Sequence, residues 1–303
     1  MANAMNNLVA TQSKQPFTVA IQSQGIQRML QASLSTPQAI TKFTADLMAA
    51  VTATPGLKDC DPASIVSAGL QCSALNLSTS PSVGEAYLVP YGNKCTFQIG
   101  KNGLVQLAIR SGQYLDIGTI EIHAGEYKGR DRFTGKPQFE FVEDDDEREN
   151  LPVVGYLAYF EMLNGFRKVV YFSHEKMLKW AARYSPAFDA NVYRKYENSG
   201  YTGNGMTQEE VRKCSGVWYQ NFGAMAEKTV LRQLLQKWGV KSRDMVQALE
   251  QDMKTDTEQQ FFETAAQPVV VESEPAEPVQ KATKARKQPA PQPQADAEED
   301  FFN

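Results

Sequence analysis

The chain has 303 residues, of which 42% are hydrophobic, and its formal net charge is −4. This composition can supply a sizeable core in one or two domains. A run of about 18 apolar residues would indicate a membrane span, and the sequence has none. The first residues also lack the basic and apolar regions of a signal peptide, so we expect a cytoplasmic protein without a membrane partner.

The four cysteines, Cys60, Cys72, Cys95 and Cys214, do not have the spacing of a zinc knuckle. In a reducing compartment we expect them to be small, buried apolar side chains. The charges are unevenly distributed along the chain. Residues 1–139 and 160–250 have net charges of +3 and +5, whereas residues 140–159 and 251–303 each have −6. Mildly basic segments permit a polyanion partner on a local surface.

The first predicted elements are helices. Apolar residues at helical spacing predict one helix around Ile26 and a second after Thr36-Pro37. Asp61 is the predicted N-cap of a third helix, with Pro62 at its first position. Gly69 and other small residues on one face of that helix predict close packing against another element.

Strands follow. "EAYLVPYG" and "KCTFQIG" alternate like two strands joined at Gly92-Asn93. A helix is predicted over 103–111, then a strand with a turn at Gly125, a short strand and an acidic loop. A second hairpin is predicted with its turn at Asn164-Gly165, followed by a helix with Ser173 as N-cap.

Residues 186–207 are rich in Tyr, Asn and Gly and are interpreted as a loop, before a helical region over about 208–249 with a stop near Gly239. The order predicts an α+β fold. Its parts are N-terminal helices, a small mainly antiparallel sheet with an inserted helix, a hairpin, C-terminal helices and a disordered C-terminal tail.

The predicted domain boundaries follow composition. Residues 1–20 are interpreted as a flexible N-terminus, 21–250 as the folded core and 251–303 as an acidic, Pro-rich disordered tail, because the tail has too little apolar area to offset its ordering entropy. The tail ends in "EEDFFN", which is either an inert terminus or a short docking peptide.

Motifs for nucleotide binding or catalysis are missing. The sequence has neither G-x-x-x-x-G-K-[ST] nor G-x-G-x-x-G. "GKNG" at 100–103 is either a strand-to-helix turn in which glycine relieves strain or a backbone segment near a sugar-phosphate chain. The acidic segment 143–149 is typical of a solvated loop that repels DNA or meets a basic patch on a neighbouring subunit. His123 and His174 indicate structural roles, and we predict no catalytic residue, no metal site and no cofactor.

Basic residues alternate with aromatic ones in three places. Lys176, Lys179 and Arg183 have the spacing of one helix face, near Trp180. Lys228 and Arg232 repeat the pattern, and "KGRDRFTGK" is a basic loop. A solvated helix face is one interpretation of the first group, and a stripe that follows phosphates is the other. Together the three groups favour nucleic acid as a partner.

The blocks "CDPASIVSAGLQCSALNL", "GEAYLVPYGNKCTFQIGKNGLVQLAIRSGQY" and "GVWYQNFGAMAEKTVLRQLLQKW", in this order, resemble the RecT family of phage-type single-strand annealing recombinases. The resemblance covers roughly residues 20–245. It implies binding of single-stranded DNA, annealing of complementary strands and strand exchange without ATP, with no covalent chemistry.

The resemblance further implies a homo-oligomeric ring or helical filament on single-stranded DNA and annealed duplex, a phage 5′-to-3′ exonuclease partner and contact with a host single-strand-binding protein. Magnesium is expected to assist annealing without a protein site. The alternative is an adaptor or assembly protein of a phage recombination complex, and a nuclease is the weaker rival. The predicted DNA-binding residues are Lys94, Lys101, Asn102, Arg110, Arg130, Arg132, Arg167, Lys176, Lys179, Arg183, Lys228 and Arg232.

Overall fold

The N-terminal part of the described chain is helical. A computed structural model describes residues 16–252. Its first elements are α1 (Phe17–Ala20), α2 (Gln24–Ser33), α3 (Pro37–Ala53), a 3₁₀ turn (Pro55–Asp59) and α4 (Pro62–Ala74). The side chain of Asp61 accepts a hydrogen bond from the Ser64 N–H, and Pro62 follows at the first helical position, so the predicted cap is confirmed.

Helices α3 and α4 pack closely. A Cβ added at Gly69 would lie 2.9 Å from Leu47 Cδ1 and 3.0 Å from the Phe43 ring. The small residue therefore allows α4 to approach the apolar face of α3, as the sequence predicted. Leu47, Ile65 and Cys72 are buried in the same core.

A β-hairpin and a helix follow. Strands β1 (Ala86–Tyr91) and β2 (Lys94–Ile99) pair in antiparallel fashion around Gly92-Asn93, which confirms the predicted turn. Helix α5 (Lys101–Arg110) begins two residues earlier than predicted, so Gly103 lies inside its first turn.

The two glycines of "GKNG" are needed for a reason other than the predicted relief of backbone strain. Gly100 has φ −86°, and the positive-φ glycines do not include Gly100 or Gly103. A Cβ at Gly100 would lie 2.0 Å from the Gly84 carbonyl oxygen, and one at Gly103 would lie 2.1 Å from that of Glu85. Close approach of two backbone segments therefore excludes larger residues here.

The central sheet has three antiparallel strands in the order β3-β6-β7. The strands of this part of the chain are β3 (Tyr114–His123), β4 (Tyr127–Arg130), β5 (Pro137–Phe139), β6 (Val153–Met162) and β7 (Arg167–Ser173). Strands β4 and β5 form a separate small hairpin. The predicted turn at Asn164-Gly165 is confirmed, with Gly165 at φ +82°.

The segment predicted as an acidic loop contains a helical turn. Helix α6 (Asp145–Glu149) begins after Asp144, whose carboxylate accepts a hydrogen bond from the Glu147 N–H. Acidic residues in a first helical turn interact favourably with the positive end of the helix. The run of acids therefore stabilises a helix start as well as being solvated.

The C-terminal part is helical but more divided than the sequence predicted. Its helices are α7 (His174–Tyr184), α8 (Ala190–Asn198), α9 (Gln208–Lys213), α10 (Val217–Gln220), α11 (Phe222–Trp238) and α12 (residues 243–252). The prediction of a loop over 186–207 was wrong. Asp189 caps α8 by accepting from the Asn191 and Val192 N–H groups, and Val192 and Tyr193 are buried.

The two faces of the central sheet have different neighbours. Helices α7 and α11 pack on the face that carries Tyr156, Ala158 and Phe160. The hairpin β4–β5 covers part of the other face, where Tyr127 and Phe139 contact Tyr171 of β7. The fold is therefore α+β, as predicted.

Some predictions fall on residues that the structure leaves out. The acidic Pro-rich tail from 253 onward, including "EEDFFN", and residues 1–15 lie outside the described residues. The predicted boundaries at 20 and 250 stay predictions. Within residues 16–252, no helix is both long and apolar enough to cross a membrane.

Candidate nucleic-acid interface

Lys101 is bound by a carboxylate on another helix. Its Nζ lies 2.7 Å from Glu227 Oε2 of α11, and the other carboxylate oxygen of Glu227 accepts a 2.8 Å hydrogen bond from the Thr119 hydroxyl of β3. The side chain of Lys101 is 36% exposed. Its charge therefore joins α5, α11 and β3, and the DNA contact predicted for it stays a prediction.

Glu121 adds a second acidic group beside this network. Burial and the neighbouring Glu227 raise the pKa of Glu121, while His123, Arg148 and Lys101 act in the opposite direction. Two carboxylates near each other need the positive charge of Lys101. This arrangement favours a structural role for Lys101.

Arg110 binds the end of a helix. Its Nη1 donates a 2.7 Å hydrogen bond to the Leu75 carbonyl, and its Nη2 donates one of 2.7 Å to the Asn76 carbonyl. Both carbonyls lie just after α4, where helix carbonyls lack partners within the helix. Arg110 thus links the end of α5 to the end of α4.

Lys228 and Arg232 share one buried carboxylate. Lys228 Nζ lies 3.1 Å from Asp252 Oδ1, and Arg232 Nη1 lies 3.0 Å from Asp252 Oδ2. The Asp252 side chain is fully buried, and Lys228 is 9% exposed. The predicted i, i+4 spacing is present, but this pair faces α12 and forms no exposed stripe. The side chains of Lys228 and Arg232 are only 11% and 17% exposed, so the DNA contacts predicted for them stay predictions.

Other predicted residues lie at the surface. Asn102 donates a 2.8 Å hydrogen bond to the Val83 carbonyl, and Lys94 is exposed at the start of β2. Arg167 pairs with Glu161 at 2.8 Å but keeps a side chain that is 73% exposed. Lys179 is exposed and lies 3.5 Å from Glu175. Surface pairs of this kind are weak and leave the cations accessible.

A different group of cations gathers around strand β7. Lys168 of β7 places its Nζ 4.0 Å from the centre of the Trp238 ring, and Lys176 of α7 places its Nζ 3.6 Å from that of Phe172. Aromatic faces attract cations. Both ammonium groups are thereby held over rings beside the same strand.

Two further cations approach Lys176 from other elements. The pKa of Lys176 is lowered, first by burial and then by the positive charges of Arg130 and Lys237. Arg130 comes from β4 and also acts on Tyr171 of β7, while Lys237 lies near the end of α11 next to Trp238. Cations from the small hairpin, α7 and α11 therefore converge near β7.

We call Arg130, Lys168, Lys176 and Lys237 the basic cluster. Among the described residues, no carboxylate oxygen lies within 4.0 Å of their cationic nitrogens. Like charges that approach without an acid repel each other. The basic cluster is thus a place where an anion would relieve repulsion.

Exposed cations extend the basic cluster in two directions. Along α7, Arg183 lies 5.5 Å from the centre of the Tyr184 ring, and that ring contacts Trp180 with 4.4 Å between centroids. In the turn between β4 and β5, Arg132 and Lys136 are exposed. Five predicted residues, Arg130, Arg132, Lys176, Lys179 and Arg183, therefore lie on or next to the basic cluster.

The DNA-binding residues predicted from the sequence did not include Lys168 or Lys237. The dipeptide Lys237-Trp238 immediately before the helix stop at Gly239 was a usable signal, because a basic and an aromatic residue at a helix end reach a shared surface.

The other edge of the sheet, at β3, is rich in acidic side chains, and Arg148 there is paired with a carboxylate. Arg148 of α6 donates to the fully buried Glu126 carboxylate at 2.6 Å and to the Glu121 carbonyl at 2.6 Å. Burial alone would raise the pKa of Glu126, but hydrogen bonds from Arg148 and from the His123 and Val142 N–H groups lower it overall. The pKa of Arg148 is raised, chiefly by its hydrogen bond to Glu126, and Asp145 of α6 adds to this effect.

The four cysteines and His123 are buried side chains. All four cysteines are free and buried, as predicted, and burial raises the pKa of Cys72 and of Cys95 to about 12. His123 Nδ1 lies 2.8 Å from the Leu151 carbonyl. Among residues 16–252 no group of three or more His, Cys, Asp or Glu side chains is placed to hold a metal ion.

Comparison with known proteins gives the family. The model of the RecT family matches residues 41–265. The uncharacterized protein YqaK of Bacillus subtilis is 31% identical over 274 residues, covering 87% of this chain and 85% of YqaK. Protein RecT of Escherichia coli is 27% identical over 194 residues, covering 59% of each chain. Because the family match spans well over half of the sequence, the chain belongs to the RecT family of DNA-binding, single-strand annealing and recombination proteins.

Proposed function

We propose that this protein binds single-stranded DNA along the basic cluster, anneals complementary strands without ATP and promotes strand exchange. The observation that carries the proposal is the position of Lys168 and Lys176 over aromatic rings beside β7, close enough to Arg130 and Lys237 for their charges to act on Lys176. Among the described residues, none of these four cations has a carboxylate partner. The negative charge of DNA phosphates would complete this arrangement. RecT family membership supports the assignment.

The proposed mechanism separates affinity from specificity. Lysine and arginine neutralise phosphates and release condensed counterions, so binding weakens as salt increases. Contacts to the backbone leave base edges free, so the second strand is selected by base pairing. The lack of a Walker A sequence is compatible with annealing that uses no ATP.

Assembly and partners belong to the same proposal. Copies of the chain form a ring or helical filament along single-stranded DNA and annealed duplex, with a phage 5′-to-3′ exonuclease and a host single-strand-binding protein as partners in the bacterial cytoplasm. Magnesium assists annealing by screening phosphates, without a site on the protein. The resemblance to the family is the support for these details.

The test is annealing of complementary oligonucleotides labelled with a fluorophore and a quencher, without ATP. We expect the wild-type protein to anneal them faster than the spontaneous rate. Lys176→Gln combined with Lys237→Gln is expected to remove most of this acceleration. Lys42→Gln combined with Lys58→Gln removes the same charge from exposed positions in the N-terminal helical part and is expected to retain it.

Two results would contradict the proposal. Wild-type protein that gives no acceleration would favour the adaptor alternative, and degradation of labelled DNA with magnesium would indicate a nuclease. Equal annealing by the Lys176/Lys237 variant, with folding verified by circular dichroism, would remove the basic cluster from the DNA site.

A further inference from the structure

Phe133 lies at the tip of the β4–β5 hairpin, fully in solvent. Its side chain is 100% exposed, whereas no other large hydrophobic residue among the described ones exceeds 64%. Folding normally removes much of the apolar area of a phenylalanine from water. A phenyl ring without protein contacts is therefore available to a ligand that offers an apolar face.

The loop that carries Phe133 is ordered by Asp131. One carboxylate oxygen of Asp131 accepts hydrogen bonds from the Thr134 N–H at 2.6 Å, the Thr134 hydroxyl at 2.8 Å and the Phe133 N–H at 3.1 Å. The pKa of Asp131 is lowered, chiefly by the Thr134 N–H. This turn fixes the backbone that presents the ring.

Further hydrogen bonds close the loop. The Asp131 N–H donates to the Lys136 carbonyl at 2.9 Å, and the Gly135 N–H donates to the Asp131 carbonyl at 2.9 Å. Arg130 Nη1 donates to the Gly135 carbonyl at 2.9 Å. Phe133 is thus held outward by a closed turn, so little loop entropy remains to be lost when a ligand binds.

The base of the hairpin is attached to the central sheet by aromatic contacts. The Tyr127 ring stacks on Tyr171 of β7 at 4.7 Å between centroids, and Phe139 contacts the edge of Tyr171 at 5.4 Å. Because Arg130 of β4 belongs to the basic cluster, these contacts hold the hairpin beside that cluster.

The loop that presents the ring is also basic, and this combination indicates the kind of ligand. Arg132 and Lys136 are exposed in the same loop, and Arg130 belongs to the basic cluster. An apolar peptide ligand has no need for three cations around one phenyl ring. A nucleotide carries a phosphate, which would bind the cations, and a flat base, which would stack on the phenyl ring.

We propose that Phe133 stacks on a base of the bound single-stranded DNA. This inference rests on the proposed function, and it adds a base contact to phosphate contacts. Stacking on an aromatic ring tolerates every base, because each has a π-face, so it is compatible with annealing of any sequence. The ring would hold one nucleotide in place while neighbouring bases remain free to pair.

The experiment compares Phe133→Ala, Phe133→Trp and wild type, with Leu163→Ala as the control. Leu163 is 64% exposed in the β6–β7 turn, outside the basic loop. The probe is an oligonucleotide with 2-aminopurine, a base whose fluorescence reports stacking, and affinity is measured at several salt concentrations.

We expect Phe133→Ala to lower affinity about tenfold and to change the 2-aminopurine signal. The slope of affinity against salt is expected to stay the same, because no phosphate contact is lost. Phe133→Trp and Leu163→Ala are expected to bind like wild type.

Unchanged affinity and fluorescence in Phe133→Ala would overturn the inference, and so would a lower salt slope or failure of Phe133→Trp to bind. If wild type binds and anneals DNA while Phe133→Ala equals it, only this inference fails. If wild type does not bind the probe, the proposed function fails with it.

Discussion

The two outer strands of the central sheet have opposite electrostatic surroundings. Near β7, the positive charges of Arg130 and Lys237 act on Lys176, and none of the three has an acidic partner among the described residues. Near β3, Arg148 and Lys101 are each bound by a carboxylate at 2.7 Å or less. The difference shows that the number of basic residues in a segment does not tell how many of their charges lack an acidic partner.

Physical chemistry explains why these two sides behave differently. A close ion pair has little net field beyond its own dimensions, especially at physiological ionic strength. Unpaired cations raise the local potential and attract an anion, at some cost in stability. The paired charges on the β3 side therefore stabilise the fold, whereas the charges on the β7 side stay available to the DNA that we propose as their ligand.

The largest expected effect is on the β3 side. Arg148→Ala leaves the buried Glu126 carboxylate without its cation, and we expect a loss of about 3–5 kcal/mol in the free energy of unfolding. Urea unfolding monitored by circular dichroism measures it. Arg132→Ala, which removes an exposed arginine, is the matched control and should change stability by less than about 0.5 kcal/mol. Equal losses in both variants would contradict the prediction.

The next effect concerns the β7 side. Lys168→Gln combined with Lys176→Gln is expected to lower affinity for single-stranded DNA about 10- to 100-fold, because two charged contacts are lost. The salt slope should fall by about 1.4, at about 0.7 for each phosphate contact on a single strand. Fluorescence anisotropy between 50 and roughly 200 mM salt measures both quantities. A slope equal to that of Lys42→Gln combined with Lys58→Gln would refute the assignment.

A smaller effect is expected for Lys101, which we expect to contribute to stability and not to DNA binding. Lys101→Ala removes a half-exposed ion pair with Glu227 and is expected to cost about 1 kcal/mol of stability. We expect its salt slope for DNA binding to equal that of wild type. A reduced slope with normal stability would instead support the DNA contact that the sequence predicted for Lys101.

The smallest expected effect is a pH dependence. The pKa of folded Glu126 lies below its ordinary value of 4.5, so the carboxylate stabilises the fold above that pH. This contribution is lost as pH falls through the folded pKa. Glu126→Gln should therefore be less stable than wild type at pH 7, with a difference that narrows below pH 4.5. Urea unfolding at several pH values tests this, and a constant difference would contradict it.

Local signals in the sequence predicted much of the fold. Asp61 before Pro62, Ser173 before α7 and the turns at Gly92 and Gly165 act over a few residues, and each is where the sequence placed it. Helix α8 was missed because its Tyr- and Asn-rich composition resembles a loop, although Asp189 provides its cap.

The candidate site was only partly predictable, because residues that are distant in the sequence decide whether a cation has a carboxylate partner. The exposed face of α7 followed from spacing alone. The partner of Lys101 lies 126 positions away, and that of Lys228 lies 24 positions away on another helix. No local pattern in the sequence shows that Lys101 pairs with a carboxylate, whereas Lys176 is affected by the positive charges of Arg130 and Lys237.

The contact between α5 and the backbone at Gly84 and Glu85 has a consequence for how this sequence can vary. A side chain at Gly100 or Gly103 would collide with a backbone carbonyl, which cannot turn aside as a flexible side chain can. Lys101 pairs with Glu227 and Asn102 donates to the Val83 carbonyl, but replacing either side chain causes no collision with the backbone. We therefore expect a library randomised over 100–103 to return glycine at both ends and more variation at the two central positions.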